Sequence, residues 1–258
     1  MFFRSMFEQL DRIGAILLLA LIIGSFLYFV IAHQLGFKYR KKLFGTRRIT
    51  KQSQEIPLEG NLFAAAFIRH NQPRVLEINI HHELYAAFLY RWYMAGHVQF
   101  VQLKPALETV NYLSIQKNVT IRDHAEEALY KKFCEAAGED GLLDVDKAYD
   151  WTFRHPGEPF DCKPEEKGKN WLEKHERLVP NGLIELQNYL QAAAEEKPCA
   201  PVDVSRIDDL LVYAQLFGIT DKLTEAWKAY LTEEQKETVK LCKEIAEAFY
   251  MGNIESTD

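Results

Sequence analysis

The densest run of chemistry-bearing side chains is Asn79-Ile80-His81-His82-Glu83. A zinc hydrolase helix needs two histidines one turn apart with a glutamate beside the first, as in H-E-x-x-H. Here Leu84, Tyr85 and Ala86 follow Glu83, so the second histidine is missing. The plainer reading is a polar helix start, where Glu83 meets the positive end of the helix dipole. His124, Glu127 and Cys134 form a second grouping. Ten residues along one helix would hold His124 and Cys134 about 15 Å apart, too far for a hydrogen-bonded dyad. His155, before Pro156, falls at a helix end, where a cation is favourable without any catalysis. Asp208 and Asp209 are adjacent and diverge by about 100° on a helix. The sequence has no phosphate-cradling glycine loop, dinucleotide fingerprint or G-x-S-x-G elbow. The expectation is a non-enzymatic protein with no catalytic, cofactor-binding or metal-ligating residue. An enzyme with a site assembled from dispersed residues stays as an alternative.

The four cysteines, Cys134, Cys162, Cys199 and Cys242, include no C-x-x-C pair, and no Cys/His pair has zinc-ligand spacing. Free thiols in a reducing compartment are expected. Tyr85, Phe88, Tyr90, Trp92, Tyr93 and Phe100 make an aromatic-rich segment. A helix followed by a strand would bury about half of them in a core. The remainder, with Tyr85, Tyr90, Trp92 and Tyr93 as candidates, would form a partner surface, since Tyr and Trp are enriched at binding hot spots.

The elements that must position these groups begin with an apolar run. Ile13 to Ala32 is uncharged for 20 residues, thirteen of them Leu, Ile, Phe or Val. That length matches a bilayer's hydrocarbon core, and the composition favours insertion by several kcal/mol. A cleaved signal peptide has a shorter apolar stretch. Here Lys38, Arg40, Lys41, Lys42, Arg47 and Arg48 follow as a stop-transfer cluster. Seven Lys/Arg lie between the run and residue 55, against two before it, so the N-terminus is expected outside and the bulk of the chain in the cytosol. The same cluster suits contact with anionic lipid headgroups. Ala20 and Gly24 form a small-xxx-small pair, a candidate for homodimerisation through the span. Residues 1–12 then form an extracytoplasmic segment, 13–33 a transmembrane helix and 34–55 a basic juxtamembrane linker.

The whole chain of 258 residues is 48% apolar and 26% charged, an ordinary globular composition beyond the run. The net charge of −6 divides into +6 for residues 1–55 and −12 for the rest. An acidic domain repels phosphate backbones, so no nucleic-acid partner is expected. Helical spacing covers Glu59–His70 and, behind an Asn79 cap, Ile80–Ala95, with Gly96 as terminator. His97–Leu103 alternates as a strand, Lys104–Thr109 turns, and Val110–Val119 returns. Two helices and a ribbon suggest a winged-helix-like module over 56–121, and a membrane-tethered transcriptional regulator is the corresponding alternative. Residues 122–258 read as a helical domain with helices over Arg122–Ala137, Val145–Arg154, Glu165–Leu178 and Leu183–Ala194. A further helix, capped at Asp203 or Ser205, runs through Phe217 and closes at Gly218. Thr220 should cap the next, and Thr232-Glu233-Glu234-Gln235 is a capping box for a last helix to about Tyr250. The class is mainly α.

Two stretches carry a family likeness. One runs from Leu58-Glu59-Gly60 to Arg91-Trp92-Tyr93-Met94-Ala95-Gly96-His97-Val98. The other is Asp209-Leu210-Leu211-Val212-Tyr213-Ala214-Gln215-Leu216-Phe217-Gly218-Ile219, then Lys222 and Trp227. Together they resemble the cytosolic C-terminal domain of the YciQ-like predicted membrane proteins, whose activity is unknown. Phe217 replaces a family leucine, Trp227 lies further on, and the family's extracytoplasmic domain and additional spans have no counterpart here. The resemblance implies a membrane location and, as partner, another membrane protein of the LemA type. The expected function is a single-pass, membrane-anchored cytosolic module for protein interaction or assembly.

Overall fold

The computed structural model describes residues 49–71, 81–104, 109–155, 163–175, 181–197 and 199–255. The apolar run, its small-residue pair and the basic cluster through Arg48 lie outside them. Contacts divide the chain into residues 1–47 and 48–258. The second unit has the order α1 (Leu62–His70), α2 (His81–Met94), β1 (Val98–Leu103), β2 (Val110–Ile115), α3 (His124–Ala137), β3 (Leu142–Leu143), α4 (Val145–Arg154), α5 (Pro164–Lys174), α6 (Asn181–Ala194), α7 (Ile207–Phe217), α8 (Thr220–Ala226) and α9 (Glu233–Glu255). The fold is mainly helical, with one small antiparallel sheet in the order β1-β2-β3. Among the described residues, no helix is long and apolar enough to cross a membrane.

Local chemistry explains most boundaries. Asn61 accepts the Ala64 amide at 2.8 Å and starts α1. The predicted start at Glu59 is displaced because Leu58, Glu59 and Gly60 all take positive φ and turn the chain before the helix. Asp123 caps α3 through the Ala125 and Glu126 amides, and Asp144 caps α4 through Lys147. The expected capping box is present: Gln235 accepts the Thr232 amide at 2.9 Å, and Thr232 accepts the Gln235 amide at 3.1 Å. Thr220 is not a cap. It is the first residue of α8, behind Ile219, and its hydroxyl turns inward. The second strand stops at Ile115, where the Ile115 amide donates to Gly141 and the chain begins to leave the ribbon.

Helix α2 is the centre of the core. Its interior run from Leu84 to Tyr90, together with Trp92, is almost wholly buried. A helix apolar on all sides must be covered on all sides. Helices α7 and α9 pack against it from the C-terminal half of the chain, and α1 packs against it from the N-terminal half. The boundary expected at residue 121 therefore falls inside this unit. An aromatic cluster spans the elements. Phe88 sits 4.9 Å from Phe63 and stacks on Trp92, which meets Tyr130 edge-on at 4.8 Å. Phe133 in turn meets Trp92, Tyr85 and Phe249. Such edge-to-face pairs add about 0.5–1.5 kcal/mol each beyond burial. The Tyr130 hydroxyl bonds the carbonyls of His97 and Gln116, fastening α3 to the base of the β1–β2 hairpin. Helix α5 lies so close to α1 that a side chain at Gly168 would overlap the Phe63 carbonyl.

Trp227, at the end of α8, is 5% exposed. Helix α8 packs against α7, whose Val212 and Leu216 are buried, and Ile219 between the two helices is half-buried. Trp227→Ala should cost about 3–5 kcal/mol, read as an earlier denaturant midpoint. An unchanged midpoint would mean that the indole does not support the core.

Candidate functional site

The sequence's first polar cluster and its last glycine motif meet in one place. Glu83, in the first turn of α2, is 8% exposed, and Arg69, in the last turn of α1, is 4% exposed. Arg69 Nη2 donates to Glu83 Oε1 at 3.1 Å, and Arg69 Nη1 donates to the carbonyl of Leu216. One guanidinium thus answers a buried carboxylate and occupies one of the carbonyls that the end of α7 leaves without a helical donor. The chain then leaves α7 through Gly218 at φ +67°. A Cβ there would sit 3.1 Å from Glu83 Oε1 and 3.7 Å from Arg69 Nη2. The left-handed turn favours glycine, and a Cβ there would in addition crowd the carboxylate.

A cavity of about 100 Å³ opens beside this pair. Its lining among the described residues is His82, Glu83, Ala86, Gln215, Gly218, Thr220 and Lys243. Gln215 is held at both ends: its Nε2 donates to the Val239 carbonyl at 2.7 Å and its Oε1 accepts from the Thr220 hydroxyl at 3.1 Å. Lys243 Nζ pairs with Asp221 at 2.5 Å. Glu83 Oε2 is buried and has no hydrogen-bond donor; His82 Nε2 stands 3.5 Å from it. Glu83 and Lys243 give the lining one carboxylate and one ammonium group. No group of three or more potential metal ligands occurs among the described residues.

The aromatic candidates fall elsewhere. Tyr85, Tyr90 and Trp92 are each at most 1% exposed, which removes them from any partner surface; from Leu84 to Tyr90 the helix is covered on all sides. Their polar ends are used internally. Tyr90 donates to Asp208 at 2.9 Å, and both burial and that carboxylate push the phenol far above its ordinary pKa. Trp92 Nε1 donates to Glu126, which also accepts from Arg91. Tyr93 is half-buried; it donates to Glu234, and burial and that bond raise its pKa to about 12. Asp208 also accepts from Gln235, while His155 stacks on Trp151. His124 and Glu127 pair at the surface at 3.5 Å. Cys134, Cys199 and Cys242 are free thiols, and burial raises Cys134 to about 11, well away from a reactive thiolate. Cys162 lies outside the described residues.

Arg69 and Lys243 carry no motif that marks them in the sequence, Thr220 is marked there only as a cap, and Gln215 only within the family likeness. The one available signal is a cation near the end of the otherwise apolar run LFAAAFIRH, which burial forces to find an anion. No protein-family model, curated protein or solved structure matches the chain.

Breaking a buried ion pair from one side strands a charge, while replacing both partners with apolar groups is often near neutral. Arg69→Met alone should therefore cost about 3–5 kcal/mol. Combined with Glu83→Leu, it should recover most of that loss in equilibrium unfolding. Additive losses would show that the two charges do not depend on each other.

Proposed function

We propose that the chain is a single-pass membrane protein with its N-terminus outside and its bulk in the cytosol, serving as a non-enzymatic module for protein interaction or assembly. The observation that carries this reading is the 20-residue uncharged run from Ile13 to Ala32 followed by Lys38, Arg40, Lys41, Lys42, Arg47 and Arg48. That cluster would rest on anionic headgroups, and Ala20 and Gly24 would allow two spans to approach. The interaction reading is supported by an apolar stripe on α4. Val145 and Phe153 are 37% and 51% exposed, and Tyr149 between them stacks with Phe153. These three fall at i, i+4 and i+8, on one side of the helix. The YciQ-like resemblance adds a membrane protein of the LemA type as the proposed partner.

We also read residues 56–121 as a winged-helix-like module, supported by α1 and α2 followed by the β1–β2 hairpin. Its charge of +1, within a −12 segment, weighs against a regulator acting on DNA.

The full chain should stay in the membrane pellet through carbonate washing, and deleting residues 1–36 should release it. A membrane-impermeant maleimide should leave the cysteines unlabelled in intact cells and reach the half-buried Cys134 and Cys199 after lysis. A soluble full-length chain would overturn the anchor, and labelling in intact cells would reverse the orientation.

A further inference from the structure

We infer that the loop between α3 and α4 is a cation loop that carries its own cation, with the ammonium group of Lys147 standing where a calcium ion would sit. This goes beyond the membrane-anchored reading and does not depend on it.

A calcium-binding helix–loop–helix uses a twelve-residue loop with ligands at positions 1, 3, 5, 7, 9 and 12. Position 6 is glycine for the sharp turn, and position 7 contributes its carbonyl. Counted from Ala136, Gly141 is the sixth residue, and it turns at φ +69°. Asp140 is then fifth, Leu142 seventh, Asp144 ninth and Lys147 twelfth. Helix α3 ends at the second position, and α4 begins at the tenth behind its Asp144 cap. Leu143 is buried and pairs with Leu113, which holds the loop to the sheet. Asp140, Leu142, Asp144 and Lys147 line one recess.

The residues at the ligand positions select the occupant. Ala136 and Gly138 bring no side-chain oxygen to positions 1 and 3, and position 12 holds a cation where a calcium loop has a bidentate glutamate. A metal ion would find too few acidic ligands and a like charge. Lys147 Nζ makes the contacts in its place. It donates to both carboxylate oxygens of Asp140 at 2.8 Å, to the Leu142 carbonyl at 2.8 Å and to the Ala137 carbonyl at 3.3 Å. An ammonium group has three donors, and these three residues share them. The bond from Lys147 holds the Asp140 carboxyl below the usual carboxylate range. Asp140 is more than half exposed, so the ion pair alone adds little. The carbonyls matter more. Ala137 ends α3 and Leu142 belongs to β3, so one side chain from α4 ties both to the second helix. Lys117 brings a second ammonium to the Glu139 carbonyl at 3.1 Å. A divalent ion would hold such a loop only while the ion is present; a tethered ammonium holds it at any calcium level.

The test uses the full chain in detergent micelles and reads amide exchange at Leu142 and Ile115. The Leu142 amide donates to Asp140 at 3.0 Å, and the Ile115 amide donates to the Gly141 carbonyl at 2.8 Å. Lys147→Met should speed both by about tenfold or more, the loss expected when a bond to a charged group is removed, while the α2 amides stay slow. Lys147→Glu installs the glutamate that a calcium loop carries at position 12. Without metal its loop should exchange faster than the parent's, and Ca2+ at about 10⁻³ M, the weak end for such loops, should slow it again saturably. The same Ca2+ should leave the parent and Lys147→Gln unchanged. Parent-like exchange in Lys147→Met would mean that the ammonium does not hold the loop. An equal Ca2+ response in Lys147→Gln would reduce the effect to screening of an acidic surface. A Ca2+ response in the parent would mean that Lys147 does not fill the site. No response in Lys147→Glu would mean that the loop does not cradle a cation. Each of these four results overturns the proposal, and none of them bears on membrane anchoring.

Discussion

Glu83 is the one charged residue that the interior of α2 has to accommodate, and the Arg69–Glu83 pair is the constraint around which the surrounding elements are arranged. Alone, each of these ions would be too costly to bury; together, and with the Leu216 carbonyl, they become tolerable. The pair fixes the end of α1 against the start of α2, and the end of α7 against both. It also adds to the preference for glycine at position 218, where the left-handed turn that leaves α7 passes close to the carboxylate. Residues 147 positions apart in sequence are joined by a single guanidinium.

Around that pair, apolar burial supplies the driving force and polar side chains supply the registration. Phe63, Phe88, Trp92, Tyr130, Phe133 and Phe249 form a continuous aromatic contact through α1, α2, α3 and α9. The polar tips of the neighbouring tyrosines and of Trp92 are not left over as binding groups. Tyr90 is tied to Asp208, Trp92 to Glu126, and Tyr130 to the hairpin carbonyls. Each bond is modest in net energy, but each would leave a costly orphan if the packing slipped. This specificity is why an aromatic-rich helix here serves as an interior element.

Local signals in the sequence translate well into structure. Helix α4 runs from Val145 to Arg154 as its spacing indicates, Gly218 closes α7 in the left-handed region, and Thr232 and Gln235 cap each other. What is not legible depends on distance along the chain. The two-residue strand Leu142–Leu143 exists only because Leu113 and Ser114 offer it an edge. The turn at Leu58–Gly60 is held by Arg91 donating to the Gly60 carbonyl, 31 residues away. The pocket needs Glu83, Gln215, Thr220 and Lys243 together, and no periodicity links those four. His81-His82-Glu83 looks like a failed metal motif in the sequence because its glutamate's true partner sits on the preceding helix.

If α2 is the element on which the unit depends, its amides should open only when the whole unit unfolds. Native-state hydrogen exchange across increasing denaturant reads this directly. The amides from Leu84 to Trp92 should fall in the slowest class and merge with the global unfolding line, ahead of those in α4 or β1. Exchange of α2 through a cheaper local opening, while α4 and α9 stay protected, would contradict that dependence, because the core would then stand without its centre.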